Sequence, residues 1–94
     1  MYVAALEVEL RVVAARSLKD KRQAIKPILE GARRRFGVSA AEVDAQDSWQ
    51  RAVLGFAVVA SSARMAESVL DELDRFVWSQ PAIEVVTSEV HWLS

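Results

Sequence analysis

The chain has 94 residues, 52% hydrophobic and 27% charged, a balance that excludes a disordered chain and, at this length, more than one hydrophobic core. It contains no cysteine, which removes disulfides, thiolate zinc sites and iron–sulfur clusters. The net charge of −1 conceals an asymmetry: Arg16 to Arg35 holds eight basic and two acidic residues, +6 against −7 for the remainder, and such a localised field bears on partners rather than on fold.

From Tyr2 to Val13 the residues alternate, with Tyr2, Ala4, Leu6, Val8, Leu10 and Val12 on one face and Glu7, Glu9 and Arg11 on the other, the pattern of a half-buried strand. Its charges are incompatible with the apolar centre of a signal peptide or a membrane span of about 20 apolar residues, so no membrane association is expected and a cytoplasmic location is. Ser17 then caps a helix over 18–36, with Asp20 as a shorter version of the capping-box glutamate and Leu18, Ile25, Ile28, Leu29, Ala32 and Phe36 at helical spacing. Gly37 supplies the left-handed stop. Pro27 projects away from Ile25, Ile28 and Ala32, so it bends the helix around a core rather than serving as a hinge. Gly31 is read as a close-packing position.

Residues 38–43 read as a second strand and 50–60 as a third, apolar on both faces and therefore central. Ser61 or Ser62 caps a second helix running to about Ser79, with Met65, Val69, Leu70, Leu73, Phe76 and Val77 as its buried stripe, and Pro81 ends it. A fourth strand over 83–92 has Val85, Val86 and Val90 as its main apolar positions. The order βαββαβ predicts an α+β, ferredoxin-like domain spanning the whole chain: a four-stranded antiparallel sheet, both helices on one face, first and third strands in the middle.

Little in the sequence points to catalysis. His91 is the one histidine and has no imidazole partner, so no metal site is expected; Gly31, Gly37 and Gly55 do not form a phosphate loop; no cofactor motif or nucleophile elbow occurs. Glu7 and Glu9 share a strand face, which alternation alone produces, and are read as solvated rather than as an acid–base pair. A non-enzymatic protein is expected.

Three constellations bear on binding. At 100° per residue, Lys19, Arg22, Lys26 and Arg33 fall on one flank of the first helix, a cationic ridge roughly 20 Å long that suits a phosphodiester backbone, although a solvated helix flank has the same appearance. Arg33, Arg34 and Arg35 complement the negative end of the helix dipole, whereas Lys19, Lys21 and Arg22 oppose its positive end and are candidates for a phosphate seat. After the second strand, Gln46, Asp47, Trp49, Gln50 and Arg51 form an interaction-loop candidate in which Trp49 either covers the sheet end or stacks on a base. Finally, Val3, Ala5, Val53, Gly55, Ala57 and Val59 leave the outer sheet face partly apolar, which predicts a homo-oligomer, most simply a dimer.

The runs Ser17-Leu18-Lys19-Asp20-Lys21-Arg22, Arg35-Phe36-Gly37-Val38-Ser39, Ala41-Glu42-Val43, and Gln46-Asp47 with Trp49-Gln50-Arg51-Ala52 and Leu54-Gly55 resemble the YlxP-like family of short bacterial proteins, a domain of unknown function. The likeness spans nearly the whole chain but not the tail Trp92-Leu93-Ser94. It implies a ferredoxin-like fold, no established enzyme activity, and a link to translation through genes neighbouring those for initiation and ribosome-maturation factors. Taken with the basic helix, it leads us to expect an RNA- or ribosome-associated accessory factor. The alternative is a homo-oligomeric module whose sheet face binds a protein or small molecule.

Overall fold

Alternation over Tyr2–Val12 produces strand β1, followed by helix α1 (Leu18–Phe36), β2 (Ser39–Asp44), β3 (Arg51–Ala60), α2 (Ala63–Trp78) and β4 (Ile83–Trp92) in the computed structural model, which describes residues 1–94. The strands are ordered β2-β3-β1-β4, with every neighbouring pair antiparallel. This is the expected ferredoxin-like arrangement, with β1 and β3 central.

One hydrophobic core fills the space between the sheet and the two helices. β1 contributes Ala4, Leu6, Val8, Leu10 and Val12, and β3 contributes Ala52, Leu54, Phe56 and Val58. Over them lie Ile25, Ile28 and Ala32 of α1 and Ala66, Leu70, Leu73 and Val77 of α2. Period-2 strands and period-3.6 helices thus bury their apolar faces against each other. Met65 departs from the predicted stripe: it is 55% exposed, and Ala66, one residue on, takes the buried position. Val86 and Val90 are also half-exposed, because β4 is an edge strand and its ladder with β1 shifts register at a bulge between Glu9 and Leu10.

The ends of α1 follow its sequence signals. Ser17 Oγ accepts from Asp20 N at 3.1 Å, while Asp20 Oδ2 accepts from Arg16 N at 3.0 Å, one residue earlier than the usual reciprocal bond of a capping box. At the other end Gly37 adopts φ 65°, and its N–H donates to Arg33 O. Pro27 is exposed within the helix. Gly31 allows the helices to meet: a Cβ there would stand 2.8 Å from Phe76 Cζ, and Phe36 packs edge-on against that same ring at 5.6 Å.

Candidate functional site

The fold turns one flank of α1 toward the edge of β2. Lys19, Arg22, Lys26 and Arg33 are all exposed. Arg22, Lys26 and Arg33, with Ile25, Leu29 and the two carboxylates Glu30 and Glu42, wall a groove of about 280 Å³. Lys26 stands 3.9 Å from Glu30, an exposed pair one helical turn apart that contributes little. Arg33 donates to Ala40 O at 2.5 Å and so ties the last turn of α1 to β2. Lys19 and Arg22 have no ion-pair partner in the structure.

Lys21 does not belong to this surface, which corrects its assignment as a phosphate-binding candidate. It is 1% exposed. Its ammonium donates to Ala45 O at 2.9 Å, Gln46 O at 3.2 Å and Arg51 O at 3.3 Å, and it lies 2.8 Å from Glu42 Oε2. An ammonium has three N–H donors, and three carbonyls take them. The carboxylate therefore acts as counter-charge, and its Oε2 has no aligned hydrogen bond of its own. Lys21, a cation near the start of α1 that opposes the helix dipole, is thus a staple between α1 and the β2–β3 connection. Only Lys19 and Arg22 still oppose the dipole without a structural role.

That connection is shaped by the staple. Asp44 Oδ1 accepts from Ala45 N at 2.7 Å, Ala45 itself adopts φ 61°, and Ser48 N donates to Ala45 O. Gln50 Nε2 reaches Ala15 O at 3.4 Å. Asp47, Ser48, Trp49 and Gln50 line an open hollow, and Trp49 is 54% exposed. Gln46 is exposed, its side chain near Glu42 O. Arg51 points elsewhere: its Nε lies 2.6 Å from Glu9 Oε2 on the open face of the sheet, and this hydrogen bond, with the Glu9 charge, raises the guanidinium above its ordinary value.

The open face divides into two halves. On the β2–β3 side, Ala5, Ala41, Val43, Gly55 and Ala57 line a shallow apolar hollow of about 300 Å³. Val59 is 66% exposed, and Val3, Ala5, Gly55 and Ala57 are half-buried. Val53 departs from the predicted oligomer face. It is only 5% exposed, in register with Glu9 and Asp44 and beside the Glu9–Arg51 pair, so it has little surface to offer. Val43 lies over Gly55, where an added Cβ would come 2.9 Å from Val43 Cγ1.

The β1–β4 half is polar. Glu7 and Glu89 are register partners on adjacent strands, and His91 follows two residues on with its Nε2 3.1 Å from Glu7 Oε1. The lone histidine of the sequence therefore has two carboxylate neighbours, although Glu7 and His91 are 84 positions apart. A hollow of about 190 Å³ beside them is lined by Glu7, Glu9, Asp44, Arg51, Val53, Thr87 and Glu89. The largest hollow, about 550 Å³, lies elsewhere, among Val12, Val13, Ala15, Ala24 and Pro81. Its one carboxylate, Asp20, is committed to the start of α1.

Comparison with known proteins agrees with the architecture. The family model described as "Protein of unknown function (DUF503)" matches residues 3–90. The chain is 38% identical over 86 residues to the "Uncharacterized protein YlxP" of Bacillus subtilis (strain 168), covering 92% of this chain and 94% of that one. Among solved structures it is similar to the de novo designed protein LFR1 1 with ferredoxin fold, at a TM-score of 0.61 and 14% identity over 97% of this chain and 86% of that one. It is also similar to the de novo designed protein Foldit4, at a TM-score of 0.55 and 18% identity over 98% and 97%. At such identities the designed proteins speak for the fold alone. No helix is long and apolar enough to cross a membrane. With its family model matched from the first strand to the last, and a relative aligned along almost its whole length, the chain belongs to the DUF503 family of YlxP-like proteins.

Proposed function

We propose that this protein is a non-enzymatic accessory factor of the cytoplasm that binds RNA, alone or on the ribosome, through the exposed flank of α1. The observation that carries this reading is the groove between α1 and β2, where Arg22, Lys26 and Arg33 stand in a row continued by Lys19. Of the two carboxylates there, Glu42 already faces the buried Lys21 ammonium. A row of cations roughly 20 Å long, at about 1.5 Å per helical residue, matches a phosphodiester backbone and gains affinity through counterion release. It reads charge rather than sequence, because phosphate contacts position a partner without specifying bases. The test is association of the purified protein with structured RNA and with ribosomes, compared with a Lys19→Gln/Arg22→Gln/Lys26→Gln variant. Loss of association in the variant supports the proposal, and unchanged association removes the flank as the site.

A second reading, self-association through the open sheet face, is favoured by the exposed Val59 and Val43 and the hollow between Ala5, Ala41, Gly55 and Ala57. Small side chains at its centre permit close approach of another flat surface, and a dimer is the simplest closed assembly. The two readings use different surfaces, the α1 flank and the open face of the sheet, which adjoin at the β2 edge where Arg33 meets Ala40.

A further inference from the structure

Glu7 and Glu89 stand directly opposite each other on β1 and β4, and both are exposed on the face away from the helices. Like charges in register on neighbouring strands destabilise a sheet, so the pair calls for a cation. Glu9, two residues along, has one in Arg51; Glu7 and Glu89 have only the His91 ring. Its Nε2 lies 3.1 Å from Glu7 Oε1 and 3.8 Å from Glu89 Oε2, and one ligand atom from each of the three residues falls within 4.8 Å of the others.

We propose that Glu7, Glu89 and His91 form a binding site for a divalent transition-metal ion of the zinc class. The first support is spacing. Zinc bonds to nitrogen and carboxylate oxygen of about 2.0–2.2 Å place tetrahedral ligands about 3.3–3.6 Å apart, and the two separations from His91 bracket that range. The second is chemistry: one imidazole nitrogen with two carboxylates suits zinc and its neighbours, whereas magnesium and calcium favour oxygen alone. The third is rigidity, since all three residues sit on paired strands rather than on a loop, so ligand positions are held by the backbone ladder. The fourth is the local field. Asp44 and Glu9 share the adjoining hollow with Glu7 and Glu89, with Arg51 as its single cation, and a concave acidic surface concentrates cations. Three protein ligands leave the ion at least one open position for water or an external ligand.

The test is titration of the metal-free protein with zinc by calorimetry and with cobalt(II) by visible absorption, together with the His91 ring nitrogens by NMR. The expected result is one ion per chain, visible bands of a low-coordinate cobalt site, and zinc-induced ring-nitrogen shifts that identify Nε2 as the bound atom and Nδ1 as the protonated one. Glu89→Gln and His91→Ala should each weaken zinc by at least about tenfold, the lower end of what losing even an outer-shell partner removes. Glu84→Gln, on the same strand and face but outside the trio, should leave zinc affinity unchanged. All of these side chains are exposed, so the variants should fold, and their thermal unfolding verifies it. Absence of zinc binding at millimolar ion overturns the proposal, as does binding that survives both His91→Ala and Glu89→Gln.

Discussion

Lys21 Nζ lies 2.8 Å from Glu42 Oε2 beneath the first turns of α1, with the lysine almost wholly removed from solvent. Removing one partner of a buried ion pair leaves the other uncompensated, which destabilises by about 3–5 kcal/mol. Lys21→Met is therefore expected to lower the unfolding free energy by about that amount, since it also orphans the carbonyls of Ala45, Gln46 and Arg51. Denaturant unfolding measures it. Adding Glu42→Leu should recover part of the loss by removing the stranded carboxylate, and a double variant no better than Lys21→Met contradicts this account of the pair.

At the crossing of α1 and α2, Gly31→Ala should destabilise despite the better helix propensity of alanine. The new methyl meets Phe76 Cζ at 2.8 Å, and the ring cannot simply withdraw because Phe36 packs against it and the Arg35 guanidinium lies 5.1 Å from its centre. Overpacking of about 1–3 kcal/mol then exceeds the about 1 kcal/mol that alanine regains, for a net loss of up to about 2 kcal/mol. In a Phe76→Leu background the same substitution should be neutral or stabilising, which a thermal-unfolding double-mutant cycle will read.

For RNA association, the exposed cations and the buried one should separate cleanly. Every phosphate that Lys19, Arg22 or Lys26 no longer neutralises, once replaced by glutamine, should flatten the slope of log affinity against log salt by about 0.7–0.9. The triple glutamine variant should fold as well as the parent or slightly better, because Lys19 and Arg22 oppose the helix dipole. A salt slope indistinguishable from that of the parent would count against the flank.

Self-association makes a different demand. Ala57 is half-buried at the centre of the open face, in register with Ala5 and Ser39. Light scattering at micromolar concentration should give a mass above the 10.4 kDa of one chain. Ala57→Arg should return it to that mass without loss of the folded baseline. A parent that scatters as a single chain even when concentrated rejects the dimer.

Element order, helix caps and the helix-facing residues of the central strands are all legible in the sequence because each depends on neighbours a few positions away. Ser17 and Gly37 end α1 through bonds spanning three or four residues, and the even-numbered residues of β1 from Ala4 to Val12 are core simply because a strand alternates. The edge strand β4 was less legible. At the sheet edge and around its bulge Val86 and Val90 stay half in water, although Ile83 of the same strand is buried in the core.

The candidate sites depended on contacts that no local period encodes. Local sequence places Lys19, Lys21, Arg22, Lys26 and Arg33 on one helix, but only the position of the β2–β3 carbonyls, 24 to 30 residues away, decides that Lys21 turns inward. Val53 has the composition of an interface residue and is removed from solvent by its cross-strand surroundings. Glu7, Glu89 and His91 come together only because β1 and β4, the two ends of the chain, pair in one particular register. Secondary structure follows from interactions over one turn or one alternation of the chain. The proximity of charged groups follows from strand register and helix docking, which the whole core sets at once.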